Sequence, residues 1–146
     1  SMSVSQTEDV KSISDIHKNK IYVSLDIKGN DVMIKGWLEK SKFKLDELLS
    51  QYSDSYIKGY VITDIENDGM LKGLNISFLK NIINKIQHYS NQDKKIIIAG
   101  GLTNYKDLEN LKTLQINNLE GIISGKSFYV GNIDLEKAQL ILNSNG

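Results

Sequence analysis

Four short runs of apolar and β-branched residues divide the chain: Ile21 to Asp26 (IYVSLD), Tyr60 to Thr63 (YVIT), Ile96 to Ala99 (IIIA) and Leu119 to Ser124 (LEGIIS). Runs of this length without polar alternation predict strands buried on both faces, the habit of parallel sheets. Between them apolar residues recur at helical spacing. Phe43 to Tyr52 carries Leu45, Leu48 and Leu49; Ile76 to Tyr89 carries Leu79, Ile82, Ile83 and Ile86; Tyr105 to Leu114 carries Leu108, Leu111 and Leu114. Each stretch predicts an amphipathic helix turned toward a core. Leu135 to Leu142 predicts a last helix, and Glu8 to Lys18 predicts one before the first strand, capped by Ser5 or Thr7. The order α-βα-βα-βα-βα predicts a parallel sheet with helices outside it.

Length then limits the architecture. A complete (βα)8 barrel takes about 250 residues, so 146 residues hold half of one: an α/β domain over residues 1–146, four parallel strands with outer helices. An open flavodoxin-like sheet is the alternative. The polar residues that close the runs, Asp26 and Thr63, fall at the C-terminal ends of their strands, where parallel α/β folds place their active sites.

Composition mostly excludes. Hydrophobic residues at 40% and charged residues at 25% are ordinary for a globular protein with a real core. Eighteen basic residues balance eighteen acidic ones, so no global field recruits nucleic acid or an anionic membrane, and any anion site must be local. The lack of cysteine excludes disulfides, thiolate metal sites and a cysteine nucleophile, and suits a cytoplasmic protein. His17 and His88 fall in helix patterns away from the strand tips, so neither a metal centre nor a catalytic histidine is expected. No apolar stretch approaches a membrane span, and no signal-peptide pattern opens the chain. Ser1 before Met2 reads as a cloning remnant, and the lack of proline as a compositional bias.

Candidate chemistry gathers at the strand tips. Asp26 ends an otherwise apolar strand before Ile27-Lys28-Gly29-Asn30-Asp31 leads into an extended piece, Val32 to Trp37. A carboxylate there can act as a general acid or base, or can cap a turn or pair with a lysine. Thr63 to Gly69 (TDIENDG) holds three carboxylates, but the terminal glutamate of an EF-hand is missing and a calcium loop is set aside. Asp68-Gly69 alone is a turn signal whose interest lies in its shared edge with Asp26. Gly100-Gly101 and Ser124-Gly125-Lys126-Ser127 follow the third and fourth strands. Glycine lets backbone N–H groups approach a phosphate, and a helix starting near Ser127 would add its dipole. Lys126 either adds charge or is simply solvated. Trp37, the only tryptophan, either packs or stacks on a planar ligand.

Val23-Ser24-Leu25-Asp26, Lys35-Gly36-Trp37, Thr63 to Gly69, Ala99-Gly100-Gly101 and Ile123 to Lys126 together resemble, in order, the C-terminal half of phosphoribosylformimino-5-aminoimidazole carboxamide ribotide isomerase of histidine biosynthesis. The likeness runs from about Ser5 to Leu142. It implies strands five to eight of a (βα)8 barrel and an Amadori rearrangement of a phosphorylated ribosyl substrate without metal or organic cofactor. By the same likeness Asp26 is the general acid that protonates the ribose ring oxygen, and Thr63 and Asp68 position the sugar and assist proton transfer. Gly69, Gly100, Gly101, Gly125 and Lys126 line the substrate and its phosphate, and Trp37 stacks on the imidazole carboxamide. The family's catalytic base sits on strand one, which this chain lacks, so the chain alone is expected to be inactive. Its expected partner is an N-terminal half-barrel or a second copy of itself. Two other functions compete: half of the cyclase subunit of imidazole glycerol phosphate synthase, disfavoured by Gly36-Trp37 and Thr63-Asp64-Ile65, and a silent, self-associating phosphate-binding module.

Overall fold

The structure, a computed structural model, describes residues 4–33, 42–66, 73–90, 94–123 and 135–143. Its elements are α1 (Val4–Ile16), β1 (Tyr22–Lys28), β2 (Asp31–Met33), β3 (Lys42–Lys44), α2 (Leu45–Tyr52), β4 (Gly59–Asp64), α3 (Ile76–Tyr89), β5 (Lys95–Ala99), α4 (Tyr105–Thr113), β6 (Leu119–Ile123) and α5 (Leu135–Asn143). Among the described residues no helix is long and apolar enough to cross a membrane.

All strands join one sheet in the order β3-β2-β1-β4-β5-β6, and β1, β4, β5 and β6 run parallel. These are the four expected strands. Each is laid beside its predecessor in chain order, without the reversal that defines a doubly wound sheet. The helices agree. Leu45, Leu48, Leu49 and Tyr52 of α2 and Leu79, Ile82, Ile83 and Ile86 of α3 repeat the i, i+3, i+4, i+7 spacing of one buried stripe. Together with Leu111 of α4 they close over Val23, Leu25, Ile27, Tyr60, Ile62, Ile96 and Ile98, one face of the strands. Sequential strands with helices on a single face are the winding of a barrel, and the flavodoxin-like alternative falls.

The other face departs from expectation. Residues in register share a face in a parallel ladder, so Ser24, Val61, Ile97 and Gly121 form one row and Asp26, Thr63, Ala99 and Ile123 the next. Val61, Ile97 and Ala99 are only half-buried, Ser24 is exposed, and Ile123 is 55% exposed. The second face is mixed: Val61, Ile97, Ala99 and Ile123 stand among Ser24, Gly121 and the buried Asp26 and Thr63. Among the described residues it is only partly covered.

A second correction concerns strand number. Gly29 (φ +63) and Asn30 form a two-residue turn between Lys28 and Asp31, and β2 folds back antiparallel onto the last three residues of β1. A positive φ at the first turn residue suits the hairpin turns whose twist matches the strands. β3 pairs with β2, and Lys44 donates to the Asp31 carboxylate at 2.9 Å, which also raises the lysine pKa by hydrogen bonding and charge. Residues 42–44 are therefore strand where helix was expected from Phe43, and among the described residues the sheet has six strands instead of four. At the other end, α1 begins at Val4 and takes Ser5 and Thr7 into its body instead of using them as caps.

The N-terminal edge of the parallel strands is tied by backbone and by one lysine. A Cβ on Gly59 would lie 1.9 Å from the Lys95 carbonyl oxygen, so β4 can lie this close to β5 only with glycine there. Lys94, 2% exposed, donates from Nζ to the carbonyls of Ser55 (2.7 Å) and Ile57 (3.0 Å), while its own carbonyl accepts from the Asn118 side chain. One residue, through its side chain and its carbonyl, thus ties together the segments entering β4, β5 and β6. Conservative architecture at this edge serves stability, and chemistry belongs at the opposite one.

Candidate active site at the C-terminal strand edge

The strand period of two decides which tip residues share a side. Asp26 is in register with Thr63, Thr63 with Ala99, and Ala99 with Ile123, so these four form a row across the C-terminal edge on the face away from the helices. Adjacent strands are about 4.8 Å apart, which brings the Asp26 and Thr63 side chains into immediate neighbourhood. Both are 8% exposed. Among the described residues the Asp26 carboxylate accepts no hydrogen bond and makes no ion pair. A carboxylate sequestered in this way, beside a hydroxyl, is suited to exchange a proton with a bound molecule.

Asp64 has a different place. It is in register with Ile27 and so turns to the helix side, where its Oδ1 accepts from the Glu66 N–H at 3.3 Å. The Ile65 N–H extends the ladder to the Ile27 carbonyl at 3.1 Å. Of the three carboxylates in residues 63–69, this one builds the turn.

Gly100 and Gly101 follow β5 with φ of +79 and +81, conformations that favour glycine. Their amides differ. The Gly100 N–H donates to the Ile123 carbonyl at 3.3 Å, whereas the Gly101 N–H has no protein acceptor among the described residues. Gly101 lies beneath Leu74, since a Cβ there would meet Leu74 Cδ2 at 3.2 Å. A small cleft lined by Asp64, Gly73, Leu74, Ala99, Gly100 and Gly101 separates this tip from the β4–α3 connection.

Asp107 was not singled out in the sequence. In α4 it is 7% exposed, and its carboxylate accepts from the backbone N–H groups of Thr103 (2.7 Å), Asn104 (3.3 Å) and Leu74 (3.2 Å). Asn104 completes a capping box by accepting from the Asp107 N–H at 3.2 Å. The Asn-x-x-Asp spacing is the signal that could have drawn attention to it. Trp37, Asp68, Gly69, Gly125 and Lys126 lie outside the described residues, so the structure assembles Asp26, Thr63, Gly100 and Gly101 from the expected set.

Known proteins extend this geometry. The family described as "Histidine biosynthesis protein" matches residues 1–134. A 1-(5-phosphoribosyl)-5-((5-phosphoribosylamino)methylideneamino) imidazole-4-carboxamide isomerase of Vesicomyosocius okutanii is 31% identical over 144 residues, 99% of this chain and 57% of the relative. Proteins of the same name from Campylobacter hominis and Thermodesulfovibrio yellowstonii are 38% and 33% identical, covering 85% and 99% of this chain but 49% and 56% of their own lengths. The chain therefore spans about half the length of the curated relatives it matches. Four sequential parallel units with helices on one face are half of a (βα)8 barrel, and with a family match over residues 1–134 the chain belongs to the histidine biosynthesis protein family.

Proposed function

We propose that this chain supplies the acid-bearing half of a phosphoribosyl isomerase that converts an aminoaldose to an aminoketose by an Amadori rearrangement. The observation that carries the reading is Asp26: more than nine-tenths buried, without a protein partner among the described residues, and beside Thr63 at the active edge. In this reading Asp26 gives its proton to the ribose ring oxygen as the C1–O bond breaks. A base then removes the C2 proton, and the resulting enolamine relaxes to the ketone. Proton transfers alone suffice, so the reaction asks the protein for positioned acids and bases.

Thr63 holds the sugar beside the acid, and Asp68 assists proton transfer. Gly101 offers its N–H to a phosphate oxygen, while Gly100 shapes the turn with its own N–H engaged by Ile123. Gly69, Gly125 and Lys126 complete the substrate and phosphate contacts and Trp37 stacks on the imidazole carboxamide, roles that rest on the family likeness. The C2 base comes from an N-terminal half-barrel or from a second copy of this chain seated against the half-covered face. The names of the relatives favour the isomerase over the cyclase, and a cytoplasmic location suits a biosynthetic step of this kind.

The test supplies the chain with the N-terminal half of a relative and follows turnover of the isomerase substrate. Asp26→Asn should keep affinity within a few-fold and lower turnover by roughly 10² or more, the scale of a positioned acid. Wild-type turnover by the Asp26→Asn chain removes this residue from the mechanism.

A further inference from the structure

The two carboxylate oxygens of Asp107 serve different parts of the chain. Oδ2 accepts from Thr103 and Asn104, the start of α4, which is ordinary capping. Oδ1 reaches back 33 positions to the Leu74 N–H, in the connection between β4 and α3. A cap does not need that bond. It seats Leu74, whose Cδ2 approaches Gly101, and it packs Asp107 Oδ1 so near Gly73 that a Cβ there would stand 3.0 Å away. Two adjoining strand-tip connections are thus fastened through one buried carboxylate, directly behind the Gly100–Gly101 turn.

From this we infer that Asp107 is a positioning residue that couples the β4–α3 connection to the glycine turn after β5, and so sets the place of the Gly101 N–H that receives a phosphate group. The inference deepens the phosphate reading given above and rests on it. Asp107 does not touch the ligand. It acts through Leu74 and Thr103: its oxygens occupy the N–H groups of Leu74, Thr103 and Asn104, while the Gly101 N–H, in the turn they hold, has no protein acceptor among the described residues. Asparagine cannot replace it: the amide offers one acceptor oxygen, and its NH2 would confront either Leu74 N–H or the Thr103 and Asn104 pair.

Amide hydrogen exchange and titration with inorganic phosphate test the coupling on the chain itself. In the wild type, phosphate should shift the Gly101 resonance and slow exchange of the Leu74 amide, because coupling between two sites is reciprocal. Where phosphate shifts Gly101, exchange at Leu74 left unchanged at saturation overturns the inference without any variant. Asp107→Asn should speed Leu74 exchange about tenfold and weaken phosphate binding about tenfold, the size of one lost coupling of ordinary strength, while amides of β1 and β4 stay protected. Asn104→Ala removes the reciprocal cap but spares the Leu74 bond. It should fray α4 and retain phosphate binding; an equal loss of binding in both variants would mean that capping alone matters. If phosphate moves no wild-type amide, the anion reading of the glycine turn fails, and the coupling then stands or falls on Leu74 exchange in Asp107→Asn.

Discussion

Lys94 carries a positive charge into a place with almost no water, and two carbonyls receive it there. Burial lowers its pKa from the ordinary lysine value, with Asp54 pulling the other way. The folded chain therefore holds this proton less tightly than the unfolded one, whose lysines titrate near about 10.4. Between those two pKa values the unfolded state binds more protons, so stability rises with pH across the interval. Tyr60 acts oppositely at higher pH. Desolvation, assisted by Tyr52, pushes its hydroxyl above the ordinary tyrosine range, so above about pH 10 the unfolded chain ionises first and stability falls. The urea midpoint should climb as the pH nears about 10 from below and decline above it. Lys94→Met should lower the midpoint and abolish the climb. A wild-type profile that is flat below the tyrosine range would contradict the desolvated ammonium.

At the scale of elements, the helices differ in how they begin. Asn75 caps α3 by accepting from the Phe78 N–H at 3.0 Å, whereas Lys44 offers α2 no side-chain cap. Asn75→Ala should cost about 1 kcal/mol, read as a lower urea midpoint with an unchanged denaturant slope. No measurable loss would show that packing of the α3 stripe, from Leu79 to Ile86, fixes that terminus unaided. The same contrast explains what was legible in the sequence. Long stripes such as Leu79-Ile82-Ile83-Ile86 announce their elements because core burial repeats their period, and the run Ile96-Ile97-Ile98 does so by its β-branched composition, although only Ile96 and Ile98 are fully buried. An extended piece was legible from Val32, where β2 lies, but β3 was not, since three residues carry no period and Phe43 adjoins the helical stripe of Leu45, Leu48 and Leu49. Asp26 and Thr63 were legible as polar ends to apolar runs. Asp107 was not, because its partner Leu74 lies 33 residues away and becomes a neighbour only through the fold.

The whole molecule has one finished face and one unfinished. Val61, Ile97 and Ala99 are half-covered, Ile123 is 55% exposed, and β2 covers the free edge of β1 only from Asp26 to Lys28. Ile13, Ile16 and Leu140 also project at the two ends of the arc. Each exposed apolar Å² favours association by about 25 cal/mol once buried. Sedimentation at micromolar concentration should show a dimer or larger species, in which two arcs close toward a ring. Ile123→Lys should shift it to monomer and leave the urea midpoint at low concentration unchanged. A wild-type chain that stays monomeric would leave the N-terminal half as the sole candidate to cover this face.

The sequential laying of strands has a consequence of another kind. Because β1 touches β4, β4 touches β5 and β5 touches β6 in chain order, the parallel units behave as a short linear array in which each stabilises only its neighbours. Stability in such an array belongs to the interfaces, and a terminal unit with one interface opens at lower free energy than an internal unit with two. Amide exchange should therefore be slowest in β4 and β5 and faster in β6, with α5 opening alongside β6; uniform protection across all four strands would reveal a single cooperative block instead. A chain built in this way can lose or gain a unit at its end without redrawing the rest, so the arc is a structure that can be extended one βα step at a time.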